Sequence, residues 1–193
     1  MTRHKVSQNF FTAVTALLVI GTTACSLFKP SFKSEALDPL AAAPEISMTD
    51  QNGNSFQLSG LQGKVVLLFF GLTNCMDECP LTMAHLKLAL EALGADAQNV
   101  QVVLVSTDPV RDTPQMLEDF LGKFNPSFLG IPGTLDELSQ VWSDYGITVL
   151  DGGETHSSFT YVIDKSGSLR LKIDAAALPE DIAADLKILL AEK

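Results

Sequence analysis

The stretch KVVLLFFGLTNCMDECPLTMAHLKLALEAL, residues 64–93, decides how this chain folds. It opens with an unbroken apolar run, KVVLLFFG, of the length and composition of a strand buried on both faces. It closes with PLTMAHLKLALEAL, whose apolar residues recur at helical spacing and which Gly94 brings to an end. Between the two lie Cys75 and Cys79, with three residues between them. Strand, loop and helix in that order begin a βαβ unit, and the loop falls in the crevice where open α/β sheets place their chemistry.

The same alternation continues downstream. NVQVVLVST reads as a second buried strand. In DPVRDTPQMLEDFLGKF, Thr113 is a good N-cap and Pro114 stands at the first helical position, where its missing N–H costs nothing. A short strand near SFLGI and a helix at LDELSQVWSDYG follow, with Trp142 and Tyr145 as packing residues. Two strands, SFTYVID and SLRLKID, meet at the turn Lys165, Ser166, Gly167, and LPEDIAADLKILLAE is the last helix. Upstream, ISMTDQNGNSFQLSG reads as a hairpin turning at Gln51, Asn52 and Gly53. The order predicts an α/β, thioredoxin-like fold with a mixed central sheet, flanking helices and an added N-terminal β-hairpin.

With 193 residues, 46% of them apolar, the chain has material for one packed domain and some extra sequence at an end. A formal net charge of −10 without a basic cluster argues against nucleic acid as a partner. The extra sequence lies at the N-terminus. Arg3, His4 and Lys5 precede an uncharged apolar run from Phe10 to about Ile20, then small residues lead to Cys25. This is the layout of an export signal, residues 1–24, of the lipoprotein type, with Cys25 as the lipidated residue. The alternative is an uncleaved anchor, since the uncharged stretch to Phe28 reaches the roughly 18 residues that just span a bilayer. Either arrangement puts the domain outside the cytoplasm and attached to a membrane, on the periplasmic side or the cell surface of a bacterium. Residues 25–44, with three prolines and no apolar period, read as a tether, leaving 45–193 as the domain.

Thiols at a helix N-terminus are acidified by the helix dipole and free N–H groups, from about 8.5 towards roughly 3.5–7.5. Thiolates there are both nucleophiles and soft metal ligands. Three uses therefore remain open for Cys75 and Cys79: a structural disulfide, a redox couple, or part of a metal site. A bridge over so short a loop removes little chain entropy, which disfavours the first. Redox enzymes of the thioredoxin type commonly carry two residues between their cysteines, not three. For a metal, a third ligand is needed, and His156 is the candidate, in a glycine-containing loop just before the strand SFTYVID. His85 sits six residues beyond Cys79 on the same helix, turned away from it, and reads as a surface residue. Met83 shares the Cys79 face and reads as core.

These segments resemble the Sco/SenC family of copper-binding assembly proteins. GKVVLLFFGLTNCMDECP is similar to the family's strand and Cys-x3-Cys-Pro loop, and STDPVRDTP to its Asp-Pro-x-Arg-Asp-Thr segment. FNPSFLGIPGT and HSSFTYVID follow in the family's order. The resemblance implies a mononuclear copper site made by Cys75, Cys79 and His156, able to hold Cu(I) through the thiolates and Cu(II) with the imidazole. It implies a copper chaperone that assists copper-site assembly in cytochrome c oxidase, with the oxidase copper-site subunit or another copper or thiol protein as partner. The alternative is an extracytoplasmic thiol-disulfide oxidoreductase working through Cys75 and Cys79, and whether the protein is an enzyme stays open between the two. Asp108, Arg111 and Asp112 are expected to brace the site, and Asp77 to tune the cysteines, meet a partner or be a plain solvated carboxylate. Met76, Asn74 and Thr155 stand where relatives usually carry other residues, and none of them removes a ligand.

Overall fold

The chain divides into two units, Met1–Ser31 and Phe32–Lys193. A computed structural model describes residues 31–151 and 155–192. The export segment and Cys25 lie outside the described residues.

The second unit is built on a six-stranded sheet. In chain order the elements are β1 (Glu35–Ala42), β2 (Ser47–Thr49), β3 (Ser55–Gln57), β4 (Val65–Gly71), α1 (Glu78–Leu93), β5 (Val100–Ser106), α2 (Pro114–Gly122), β6 (Leu129–Ile131), α3 (Leu135–Asp144), β7 (Val149–Leu150), β8 (Thr155–His156), β9 (Phe159–Ile163), β10 (Ser168–Asp174) and α4 (Pro179–Ala191). The sheet runs β1-β10-β9-β4-β5-β6. Strands β4, β5 and β6 are parallel, and the other pairs are antiparallel, so the sheet is mixed. The hairpin β2–β3 forms a separate ribbon, as its turn chemistry predicts.

Every residue of β4 is buried because both faces of the sheet are covered. Val65, Leu67 and Phe69 point into a core closed by α1, α2 and α4, with Leu86, Leu117 and Leu186 among its members. Val66, Leu68 and Phe70 point the other way, into a core closed by α3 and the hairpin, with Phe56, Leu138 and Trp142. At about 1.5–3 kcal/mol for each large apolar side chain removed from water, this one strand anchors both layers. Helix ends follow the chemistry read from sequence. The Thr113 side chain accepts from the Met116 N–H, Pro114 begins α2, and Gly94 ends α1 at a φ of 59°; a capping box of Thr134 and Glu137 on α3 was not read from the sequence.

Two elements differ from the sequence reading. The tether expected over 25–44 is, from Glu35 to Ala42, strand β1, paired to β10 with a register shift between Ala36 and Ala41. Pro39 falls inside that shift, and most β1 side chains are exposed, so an edge strand forms with no apolar period to announce it. Just before it, the N–H groups of Lys33 and Ser34 donate to the buried Asp185 carboxylate at 2.7 and 2.8 Å. The second difference is β7–β8, a two-residue ribbon that pairs Val149 with His156, where a plain loop was expected.

Candidate metal centre

Strand β4 delivers the cysteine loop to the edge of the upper core. Its last residue, Gly71, has room for no side chain: a Cβ there would lie 2.4 Å from Phe69 Cε1 and 3.1 Å from Cys79 Sγ. The loop is then fastened from below. Asp112, 4% exposed, accepts the Thr73 N–H at 3.0 Å and the Thr73 hydroxyl at 2.7 Å on one oxygen, and the Ser106 hydroxyl at 2.6 Å on the other. Burial pushes the Asp112 carboxyl above the usual range, against the hydrogen bonds from Ser106 and Thr73. Buried Asp108 accepts the Arg111 N–H at 3.1 Å and pairs with the Arg111 guanidinium, which holds the turn carrying Asp112. Asp108 and Arg111 thus act through Asp112 and reach the cysteines only indirectly.

The two thiols are unequal. Cys75 is half-buried and its sulfur accepts the Cys79 N–H at 3.3 Å. Burial raises its pKa, but N–H groups of Cys79, Asp77 and Glu78 and the Cys79 thiol outweigh that, and the net shift is downward. Cys79, the second residue of α1, is fully buried. Burial pushes its thiol far up, and the charges of Cys75 and Glu78 push the same way. The result is an acidified thiol beside one that yields its proton only to a strong competitor for the sulfur, such as a metal ion.

His156 meets the buried sulfur. Its Nε2 lies 3.8 Å from Cys79 Sγ, and its Nδ1 lies 3.1 Å from the Ser157 carbonyl oxygen. A carbonyl only accepts, so Nδ1 carries a proton, and in the neutral ring this leaves the Nε2 lone pair facing the Cys79 sulfur. The edge-on ring of Phe69, 6.3 Å away at 77°, completes the setting. Fixing a ligand's tautomer through its other nitrogen is how metal-binding imidazoles are commonly held. Among the described residues, no group of three His, Cys, Asp or Glu side chains is yet closed around one point as a metal cage. The structure joins Cys79 to His156 and sets Cys75 on the Cys79 N–H.

Other residues singled out by sequence fall as follows. Asp77 is exposed and its side chain makes no capping bond to α1, and its N–H, not its carboxylate, is what acts on Cys75. Met83 is buried core. His85, half-buried, has its Nδ1 3.0 Å from the Ala177 carbonyl. Met76 is 97% exposed. Thr73, Ser106, Glu78 and Ser158 were not legible as site residues: small polar side chains act here through contacts between distant segments, which no local pattern encodes.

The SCO1/SenC family pattern matches residues 35–191, from the first residue of β1 to the last of α4. The chain belongs to the SCO1/SenC family. A SCO2-like protein of Rickettsia felis is 30% identical over 159 residues, 78% of each chain. Among solved structures, Bradyrhizobium japonicum ScoI with copper bound is 34% identical with a TM-score of 0.71, covering 78% of this chain and all of that one. Apo Sco1 of Thermus thermophilus is 35% identical with a TM-score of 0.73, over 83% of this chain and 98% of that one. Those Sco structures share the thioredoxin-like fold expected from the sequence. The family match begins where β1 begins, which agrees with β1 being part of the domain.

Proposed function

We propose that this protein is a membrane-tethered copper chaperone. It binds one copper ion through Cys75, Cys79 and His156 and assists copper-site assembly in cytochrome c oxidase, the process the Sco family serves. The observation that carries the reading is the His156 Nε2 lone pair aimed at the Cys79 sulfur from 3.8 Å, with the acidified Cys75 thiol alongside. A relative covering most of the chain has copper bound. Copper is the cargo, and the protein's own groups decide how it is taken and released. The half-buried, acidified Cys75 makes first contact, the buried Cys79 then releases its proton to solvent as the metal takes its sulfur, and the His156 imidazole adds a nitrogen donor. Two thiolates favour Cu(I), and the imidazole extends the site to Cu(II). Release runs through the exposed side, towards a copper-site subunit of the oxidase or another thiol protein.

The location follows from residues 1–24 and Cys25, read as a lipoprotein signal or an uncleaved anchor holding the domain on the extracytoplasmic face. Among the described residues no helix is long and apolar enough to cross a membrane. A second reading has one observation in its favour. The half-buried, acidified Cys75 next to the buried Cys79 is also the arrangement of an attacking and a resolving thiol.

An anaerobic Cu(I) titration of the reduced domain against a chromogenic chelator, with a Cu(II) titration beside it, separates the two. One-to-one Cu(I) binding that is lost in the Cys75→Ser, Cys79→Ser double variant, and Cu(II) binding that weakens in His156→Ala, support the chaperone. Cu(II) binding that ignores His156, with intact disulfide reduction, supports the oxidoreductase.

A further inference from the structure

Besides the Cys79–His156 approach, a second side-chain bond joins the cysteine-bearing helix to the segment just after the histidine-bearing strand. Ser158 Oγ donates to Glu78 Oε2 at 2.5 Å, across eighty positions of sequence, and its hydroxyl also lies 3.5 Å from the His156 carbonyl oxygen. Glu78 is the first residue of α1 and directly precedes Cys79. Ser158 follows His156 by two residues. The bond and the Cys79–His156 approach therefore close one small ring: Cys79, Glu78, Ser158, Ser157, His156 and back to Cys79.

On its other side the His156 segment has little to hold it. Strand β8 is two residues long, and among the described residues its pairing with β7 is extended by Ser157, whose N–H donates to the Thr148 carbonyl and whose hydroxyl accepts the Thr148 N–H, both at 3.2 Å. Those bonds fix how high the segment sits against β7. The ring itself is held at Nδ1 by the Ser157 carbonyl and flanked by Phe69, and the bond across the gap draws the segment that carries it towards α1.

We propose that the Glu78–Ser158 bond is a latch that sets the reach of His156 towards Cys79, and so sets the preference of the site between Cu(II) and Cu(I). The inference rests on the copper reading above. Ser158 is a positioning residue in this scheme and touches no metal. Two thiolates satisfy soft Cu(I) without the imidazole, whereas Cu(II) draws on the nitrogen donor. Opening the latch therefore weakens Cu(II) binding and leaves Cu(I) binding nearly unchanged. The bond is solvent-exposed, so its loss barely alters folding.

The test compares wild type, Ser158→Ala and Ser158→Thr in the intact reduced protein. Supporting groups around metal ligands typically carry about 10–100-fold in affinity. In Ser158→Ala, Cu(II) affinity falls by that amount and Cu(I) affinity holds. The Cu(II)/Cu(I) potential rises by about 60–120 mV, since tenfold in a one-electron couple is about 59 mV. Ser158→Thr, which keeps the hydroxyl, restores the potential and the thiolate-to-Cu(II) absorption. An unchanged potential in Ser158→Ala, or equal loss of Cu(I) and Cu(II), overturns the latch. The metal-free readout is the His156 ring nitrogen resonances: they shift in Ser158→Ala and return in Ser158→Thr. If wild type binds no copper, the chaperone reading fails by itself, and these resonances still decide whether the latch positions the ring.

Discussion

Replacing Asp112 with alanine removes the carboxylate on which the cysteine loop rests. Three hydrogen bonds end on it, from the Thr73 N–H, the Thr73 hydroxyl and the Ser106 hydroxyl, at 3.0, 2.7 and 2.6 Å. Bonds to a charged acceptor contribute about 1.5–3 kcal/mol each, so three would sum to about 5 kcal/mol or more. Burial of the carboxylate works against that sum, and the raised pKa of Asp112 says that the desolvation cost exceeds what the bonds return. Set against that difference, three donors left without their acceptor in a 4% exposed site, at about 1–3 kcal/mol each, give a net loss of about 2–3 kcal/mol. In a chain of this size that is about 4–12 °C in Tm. Because Thr73 stands two residues before Cys75, copper affinity falls with it, by about tenfold or more. Asp112→Asn separates charge from contact. A carboxyl whose folded pKa is raised contributes stability that is fully present below its unfolded pKa and is lost as pH rises through the folded value. The asparagine variant escapes that loss, so its stability relative to wild type improves as pH rises from acid to neutral. Urea unfolding of the three proteins across that range is the assay. Asp112→Ala within about 0.5 kcal/mol of wild type, the range of an ordinary surface change, would refute the bracing role.

Further outcomes follow from the same geometry. Cys75, exposed in part and acidified, is alkylated before Cys79 in the metal-free protein, and its reactivity titrates below that of a free cysteine; site-resolved mass spectrometry over pH checks this. Gly71→Ala forces a methyl to within 2.4 Å of Phe69 and 3.1 Å of Cys79 Sγ, and costs about 1–3 kcal/mol in denaturant unfolding with weakened copper uptake. A protein beginning at residue 45 lacks β1 and strips the Lys33 and Ser34 N–H groups from the buried Asp185, so it melts lower than one beginning at residue 32; calorimetry of the two decides. Cys25→Ser moves the protein from the membrane fraction to the soluble fraction if Cys25 is lipidated, and leaves it membrane-bound if the segment is an uncut anchor.

The parts of the fold that were legible in the sequence are those whose burial is two-sided or whose caps are local. KVVLLFFG reads as a central strand because both its faces are covered, and Thr113-Pro114 announces a helix start through a bond within one turn. Strand β1 was illegible because an exposed edge strand containing Pro39 carries no alternation, and its hold on the domain comes from β10 and Asp185, over a hundred residues away. In the site, Cys75, Cys79 and His156 were visible as residue types at a suggestive spacing. Their inequality was not: it depends on which sulfur faces the core and which faces the N–H groups of α1. Ser158 and Glu78 carried no signal, since a serine and a glutamate eighty positions apart in sequence say nothing until the fold brings them together.

Copper K-edge absorption of the Cu(I)-loaded and Cu(II)-loaded protein, each beside its His156→Ala variant, tests the three-donor site most directly. The account predicts two sulfur neighbours per copper in both states, with one imidazole nitrogen in the Cu(II) form that disappears in His156→Ala. A Cu(II) spectrum with no imidazole, or one that His156→Ala leaves unchanged, would contradict it.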